Sequence, residues 1–359
     1  MKRLRPNESN RDLVVADLAK EAMQRGERQL ADIARHQVHW DLATDVDWHF
    51  CCAASSSFYA GVEVALMYHL KGNTELATEW LAKSLMYGQR GALLNSTMVN
   101  FALQDRDHPD FSTAIDDRRL PEVIGFLAAT GQHDALPALC QFWHQLLQNP
   151  VFIDMLIGID PWFIAFQREL MHALHTGQWP EIQHNTALIS ELGGFAALLR
   201  TKPTDADFST HFAEYLDFRL ANIYGYDHVF AEKRRPSGRS FPSSVFQGST
   251  GYMLLPYELF MFAWVWQQVS GENWQLPTDH PFMQVGWTKL PEIKAFPLDG
   301  NVRKLDSFAG KFLGERWRQL AAVTEIPEQA IPETAVKSSL LSRWFKRFYK
   351  HQSKLESKH

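Results

Sequence analysis

The stretch GYMLLPYELFMFAWVWQQ (Gly251–Gln268) decides how the chain is read. It suits three descriptions: a membrane span, an active site built around Glu258, or the buried centre of a soluble fold. A spanning helix needs about 20 mostly apolar residues. This run reaches 16, from Gly251 to Trp266, and only if Pro256 and Glu258 are counted. Polar residues follow at once in QQVSGEN. Pro256 lacks a backbone N–H but suits the first position of a helix. The spacing therefore predicts a helix from about Pro256 to just before Gly271. Leu259 to Trp266 are apolar on every side, and such a helix, too short to cross a bilayer, belongs in a core. Glu258 falls in its first turn, where the helix dipole favours an anion. Burial would suit that carboxylate to acid–base work. The plainer expectation is that it caps its helix or pairs with an arginine.

Working outward, the other segments are helical too. Ser9 with Asp12 signals a helix start, with the helix running to about His36. Thr44 with Asp47 repeats the signal and opens a helix to about Lys71. That second helix contains CCAASSSFYAG, a run of small residues that lets a neighbour approach closely. Helix, glycine with a polar residue, then helix recurs around Gly72, Gly131, Gly177 and Gly271. The separations are 59, 46 and 94 residues, so no repeat period exists. A tetratricopeptide array would repeat about every 34. Only the hairpin Ala65–Tyr87, with Gly72, Ala77 and Ser84, resembles one such unit. No segment combines strict alternation with β-branched residues and hairpin turns. The expected fold is all-α, an irregular stack of antiparallel helical hairpins, tetratricopeptide-like in part. Long loops are expected at 105–121 and 232–251, with an irregular Pro-rich and aromatic run at 275–301.

The totals agree with a packed core. The chain has 359 residues, 45% apolar, with 12 Trp and 24 Phe. We expect one helical domain over residues 1–330, in which a sub-boundary can be drawn near 200–210. No charged segment followed by an apolar one opens the chain, and its three cysteines form no CxxC pair. A reducing cytoplasm is the expected setting. Net charge is −5. From Glu333 to His359, seven Lys/Arg stand against two acidic residues, so the remainder carries −10. An acidic body argues against nucleic acid as a ligand.

Residues 331–359 read as a basic amphipathic helix. Leu340, Leu341, Trp344, Phe345, Phe348 and Tyr349 form one narrow stripe, and Arg343, Lys346, Arg347, Lys350 and Lys354 surround it. Such a helix docks on the acidic body, on a partner groove or weakly on a membrane surface.

Motifs for chemistry are missing. Asp45, Asp47 and His49 alternate, so on a helix they cannot converge on a metal. His36 and His39 share a face without a third ligand, and no HExxH occurs. No metal and no cofactor are expected. There is no G-x-S-x-G, and the serines at 237, 240, 243, 244 and 249 are turn formers. Cys51 and Cys52 sit in an apolar helical pattern, without an activating base. Gly238 and Gly248 belong to no phosphate-binding run. No catalytic residue is expected.

The hairpin FYAGVEVALMYHLKGNTELATEWLAKSLMYG, and the later GYMLLPYELFMFAWVWQQVSG with DHPFM beyond it, resemble helical immunity proteins of bacterial polymorphic toxin systems. The resemblance is to the immunity family numbered forty-nine and to the helical immunity partners of toxin nucleases. The resemblance implies an antitoxin that binds a cognate protein toxin and occludes its active site. It implies no turnover. The contacts would then fall on the loops: Asp105, Asp107, Asp110, Asp116 and Asp117 on the acidic side, and Arg234, Arg235, Arg239 and Phe241 on the basic one. Two alternatives are a helical-repeat scaffold for peptides and a hydrolase using Glu258 or the 232–251 loop.

Overall fold

The computed structural model describes residues 10–43, 47–104, 119–155, 161–224 and 254–322, apart from 275, 278 and 295–298. The described chain is 78% helical and contains no strand, so the fold is all-α. Helices α1 (Arg11–Ala31), α2 (Ile33–Leu42), α3 (Asp47–Leu70) and α4 (Thr74–Gln104) come first. Then come α5 (Arg119–Ala129), α6 (Leu136–Leu147), α7 (Pro150–Met155) and α8 (Pro161–Thr176). The short α9 (Thr186–Leu192) and α10 (Ala196–Leu199) flank a 3₁₀ turn, and α11 (Phe208–Tyr224) follows. Last are α12 (Tyr257–Ser270), α13 (Pro281–Val285), α14 (Gly300–Leu313) and α15 (Glu315–Ala321).

The α3–α4 hairpin is the most extensively packed pair, and the small residues of α3 make that possible. Gly61 faces Ser84, Phe58 faces Gly88, and Ala54 faces Gly91, so the helices run antiparallel. A Cβ on Gly61 would fall 2.0 Å from the Ser84 hydroxyl oxygen. The segment His49–Leu70 is long and apolar enough to cross a bilayer, but 72% of its apolar window is buried within the protein. The turn at Gly72 has φ +75°, which favours glycine there. Gly131, Gly177 and Gly271, the other expected turn glycines, also have positive φ.

Helix α12 starts after Pro256 and stops at Gly271, close to the expected bounds. Eight of its fourteen residues are buried, Glu258 among them. It lies across α5, where Gly125 meets the backbone of Tyr257. A Cβ on Gly125 would fall 2.2 Å from the Tyr257 carbonyl oxygen. Gly125→Ala is therefore expected to destabilise by about 1–3 kcal/mol, despite alanine's better helix propensity. Urea unfolding would show it, and an unchanged midpoint would mean that the two helices separate freely.

Two expectations are corrected. The first helix does not run unbroken from Ser9 to His36. It stops at Asp32 (φ −91°, ψ 8°) and resumes as α2. The break turns the chain so that Trp40, 1% exposed, reaches the core beside Phe50 and Tyr87. The Pro-rich run at 275–301 also contains a short helix, α13. His280 caps it, its Nδ1 accepting from the Phe282 N–H at 3.1 Å.

One apolar cluster reaches from Val14 to Ala321. Helices α14 and α15 are pinned to α4 by Asp306, whose carboxylate accepts from Arg90 Nε at 3.3 Å and from Trp317 Nε1 at 3.1 Å.

Candidate interaction surface

Glu258 is the one strong acid candidate that lies among the described residues, and it is completely buried. Arg219 of α11 donates to its carboxylate, and the Tyr215 hydroxyl donates at 2.9 Å. Arg219 also reaches the Leu255 carbonyl at 3.4 Å and lies over the Phe282 ring, 4.6 Å from its centroid. Burial works against the guanidinium's charge, but Glu258, joined by Tyr215 and Tyr257, more than offsets this and raises the Arg219 pKa. Burial first, and Glu258 second, push the Tyr215 phenol well above its ordinary value, so it stays a donor. The carboxylate is thus paired with an arginine and buried away from solvent.

The other expected positions divide. Asp105, Asp107, Asp110, Asp116 and Asp117 lie outside the described residues. So do Arg234, Arg235, Arg239, Phe241 and the whole of 331–359. Among the described residues no three His, Cys, Asp or Glu side chains are placed to hold a metal ion. His36 Nε2 is instead 3.0 Å from the Gln29 amide oxygen. Cys140 is buried, which pushes its thiol up to about 12.

A different surface stands out. The large apolar side chains exposed among the described residues are Leu13, Ile33, Val38 and Leu42, and three of these lie on α2. That helix buries a single residue, Trp40. Beneath its inner side is a cleft of about 70 Å³. Its lining includes apolar Ile33, aromatic Trp40, Trp80 and Tyr87, and polar Lys83 and Asn301. The Gln37 and Asn301 amides bond reciprocally at 3.0 and 3.3 Å. The Tyr87 hydroxyl donates to Asp299, and Lys83 Nζ lies 3.8 Å from the same carboxylate. Burial, with Asp299 adding to it, raises the Tyr87 pKa and keeps that hydroxyl protonated. An aromatic pocket with polar groups in its lining, on a helix that also exposes aliphatic groups, suits an anchor side chain from another protein.

No family model, curated protein or solved structure matches the chain.

The sequence contains a signal for this surface. In IARHQVHWDL, Ile33, Val38, Trp40 and Leu42 point to more than one side of a ten-residue helix. One short helix lying on a core cannot bury them all.

His36 gives the surface a pH dependence. Burial lowers its pKa below the ordinary 6.5, His39 adds to that, and Asp32 and Glu63 oppose it. The unfolded chain then takes up a proton that the folded chain resists. This contribution is fully present above pH 6.5 and is lost as pH falls through the lower folded value. His69, His144 and His280 are lowered too, each chiefly by burial. The thermal midpoint is expected to be lower at about pH 5.5 than at about pH 7.5, above the range where carboxylates dominate. His36→Gln should narrow that difference. A midpoint that holds or rises on acidification would refute the assignment.

Proposed function

We propose that the protein works by binding another protein, as an immunity protein that neutralises a cognate bacterial toxin by covering its active site. The observation that carries the binding part is α2, where half-exposed Ile33 helps line an aromatic cleft and Val38 and Leu42 stand exposed on another side of the same helix. The net charge of −10 outside the C-terminal segment supports a partner with a positive cleft, through complementary charge and faster association. The burial of Glu258 supports binding over hydrolysis through that residue.

Co-expression with the product of the adjacent gene tests the proposal. Rescue from toxicity together with co-purification is the expected result. Val38→Glu with Leu42→Glu should abolish both while leaving the circular dichroism spectrum unchanged. Absence of rescue, or rescue without a complex, would end the toxin reading. Retention of short peptides instead of a folded partner would favour the helical-repeat scaffold.

A further inference from the structure

The structure assigns to α2 the role of a strap, latched by Trp40, that lifts off α3 and α4 without unfolding either. Nine of its ten residues are not buried, whereas the helices beneath it are largely enclosed. Its attachment is concentrated in a few groups. The Trp40 ring lies against Tyr87 at 5.3 Å and meets Phe50 edge-on at 6.5 Å. Its indole N–H donates to the Ser57 hydroxyl at 2.8 Å, and Lys304 Nζ donates to its carbonyl. The remaining ties, Gln37 with Asn301 and His36 with Gln29, are exposed or half-buried, where water competes for the same groups.

Local geometry suits such a motion. The helical path breaks at Asp32 on one side, and Ala43 leaves it on the other with ψ 82°. The segment can turn at the half-exposed Asp32, while Ala43, fully buried, marks the end that stays with the core. The cleft of about 70 Å³ beneath it has room for about two waters. Water can enter there and take over the hydrogen bonds of the parting faces. Elements with little buried apolar area and exposed hydrogen bonds open well below the cost of global unfolding. Lifting α2 uncovers Trp80, Tyr87 and Phe50, and so turns a small cleft into a longer aromatic floor. Ile33, which helps line the cleft, and the exposed Val38 and Leu42 move with the strap. None of this depends on who the partner is.

Native-state hydrogen exchange on the full chain, at several low denaturant concentrations, is the test. Amides of residues 33–42 are expected to exchange through an opening with a small but positive denaturant slope, well below that of α3 and α4, and at least about tenfold faster. Trp40→Phe keeps an aromatic plug but loses the bond to Ser57. It should speed exchange in 33–42 by about three- to tenfold and leave α3 and α4 unchanged. Lys304→Met, which removes the donor to the Trp40 carbonyl, should act in the same place and direction. The strap is overturned if 33–42 exchanges at the rate and denaturant slope of α3 and α4. It is also overturned if both variants speed all three helices equally.

Discussion

Arg219→Leu is expected to lower the stability of the protein by about 3–5 kcal/mol. The cause lies less in the lost attraction than in what remains. Glu258 is 0% exposed, and without the guanidinium its charge has neither solvent nor counter-ion. Glu258→Met should cost a similar amount, since it strands the Arg219 charge at 1% exposure. The double variant is the decisive one. With both charges gone, the site becomes an apolar junction between α11, α12 and Phe282, and the loss should be smaller than in either single variant. Tyr215 limits the recovery, because its hydroxyl loses its acceptor. Urea unfolding of the three variants gives the answer. Simple additivity of the single losses would show that the groups do not act as a pair. The pair also joins positions 39 residues apart, so it holds together helices on either side of the 225–253 segment.

Phe195→Ala should have a comparable effect, about 3–5 kcal/mol. Its ring is fully buried and stacks on Phe166 at 4.8 Å, with Phe163, Tyr215 and Phe218 each 5.6 Å away. It therefore links α8 to α11. The backbone beneath it has little freedom to close the void. It forms the 3₁₀ turn Gly193–Phe195, where Gly193 packs on Trp162 and Gly194 on Phe218. A Cβ on either glycine would fall within 2.2 Å of the neighbouring ring. A cavity that cannot relax costs more than the transfer of the lost atoms alone. The near-ultraviolet circular dichroism should weaken along with the unfolding midpoint. A loss below about 1 kcal/mol would mean that the aromatic cluster repacks.

Local rules in the sequence were enough for much of the helical layout. Pro256 and Gly271 bound α12 because one residue lacks an N–H and the other tolerates a left-handed turn. The small residues from Cys51 to Gly61 announced a close helix neighbour because side-chain volume sets how near two helices can come. The break at Asp32 was not legible in the same way. Arg28 to Gln37 continues an acceptable helical pattern, and only the docking of Trp40 gives the chain a reason to bend. The α2 surface was missed for a related reason. Its apolar residues look like core residues until the core is seen to be filled from α3 and α4.

The sequence by itself determined the all-α class, the turn glycines and the greasy centre at α12, since these follow from periods and breakers within a few residues of one another. It also favoured a capping or arginine-paired role for Glu258 over an acid–base one. Only the tertiary structure named Arg219 and Tyr215 as its partners, closed the site to solvent and left Val38 and Leu42 exposed. Those outcomes depend on contacts between distant parts of the chain. Which apolar residues win a place inside is settled by competition for a limited interior volume, and no local pattern records the result.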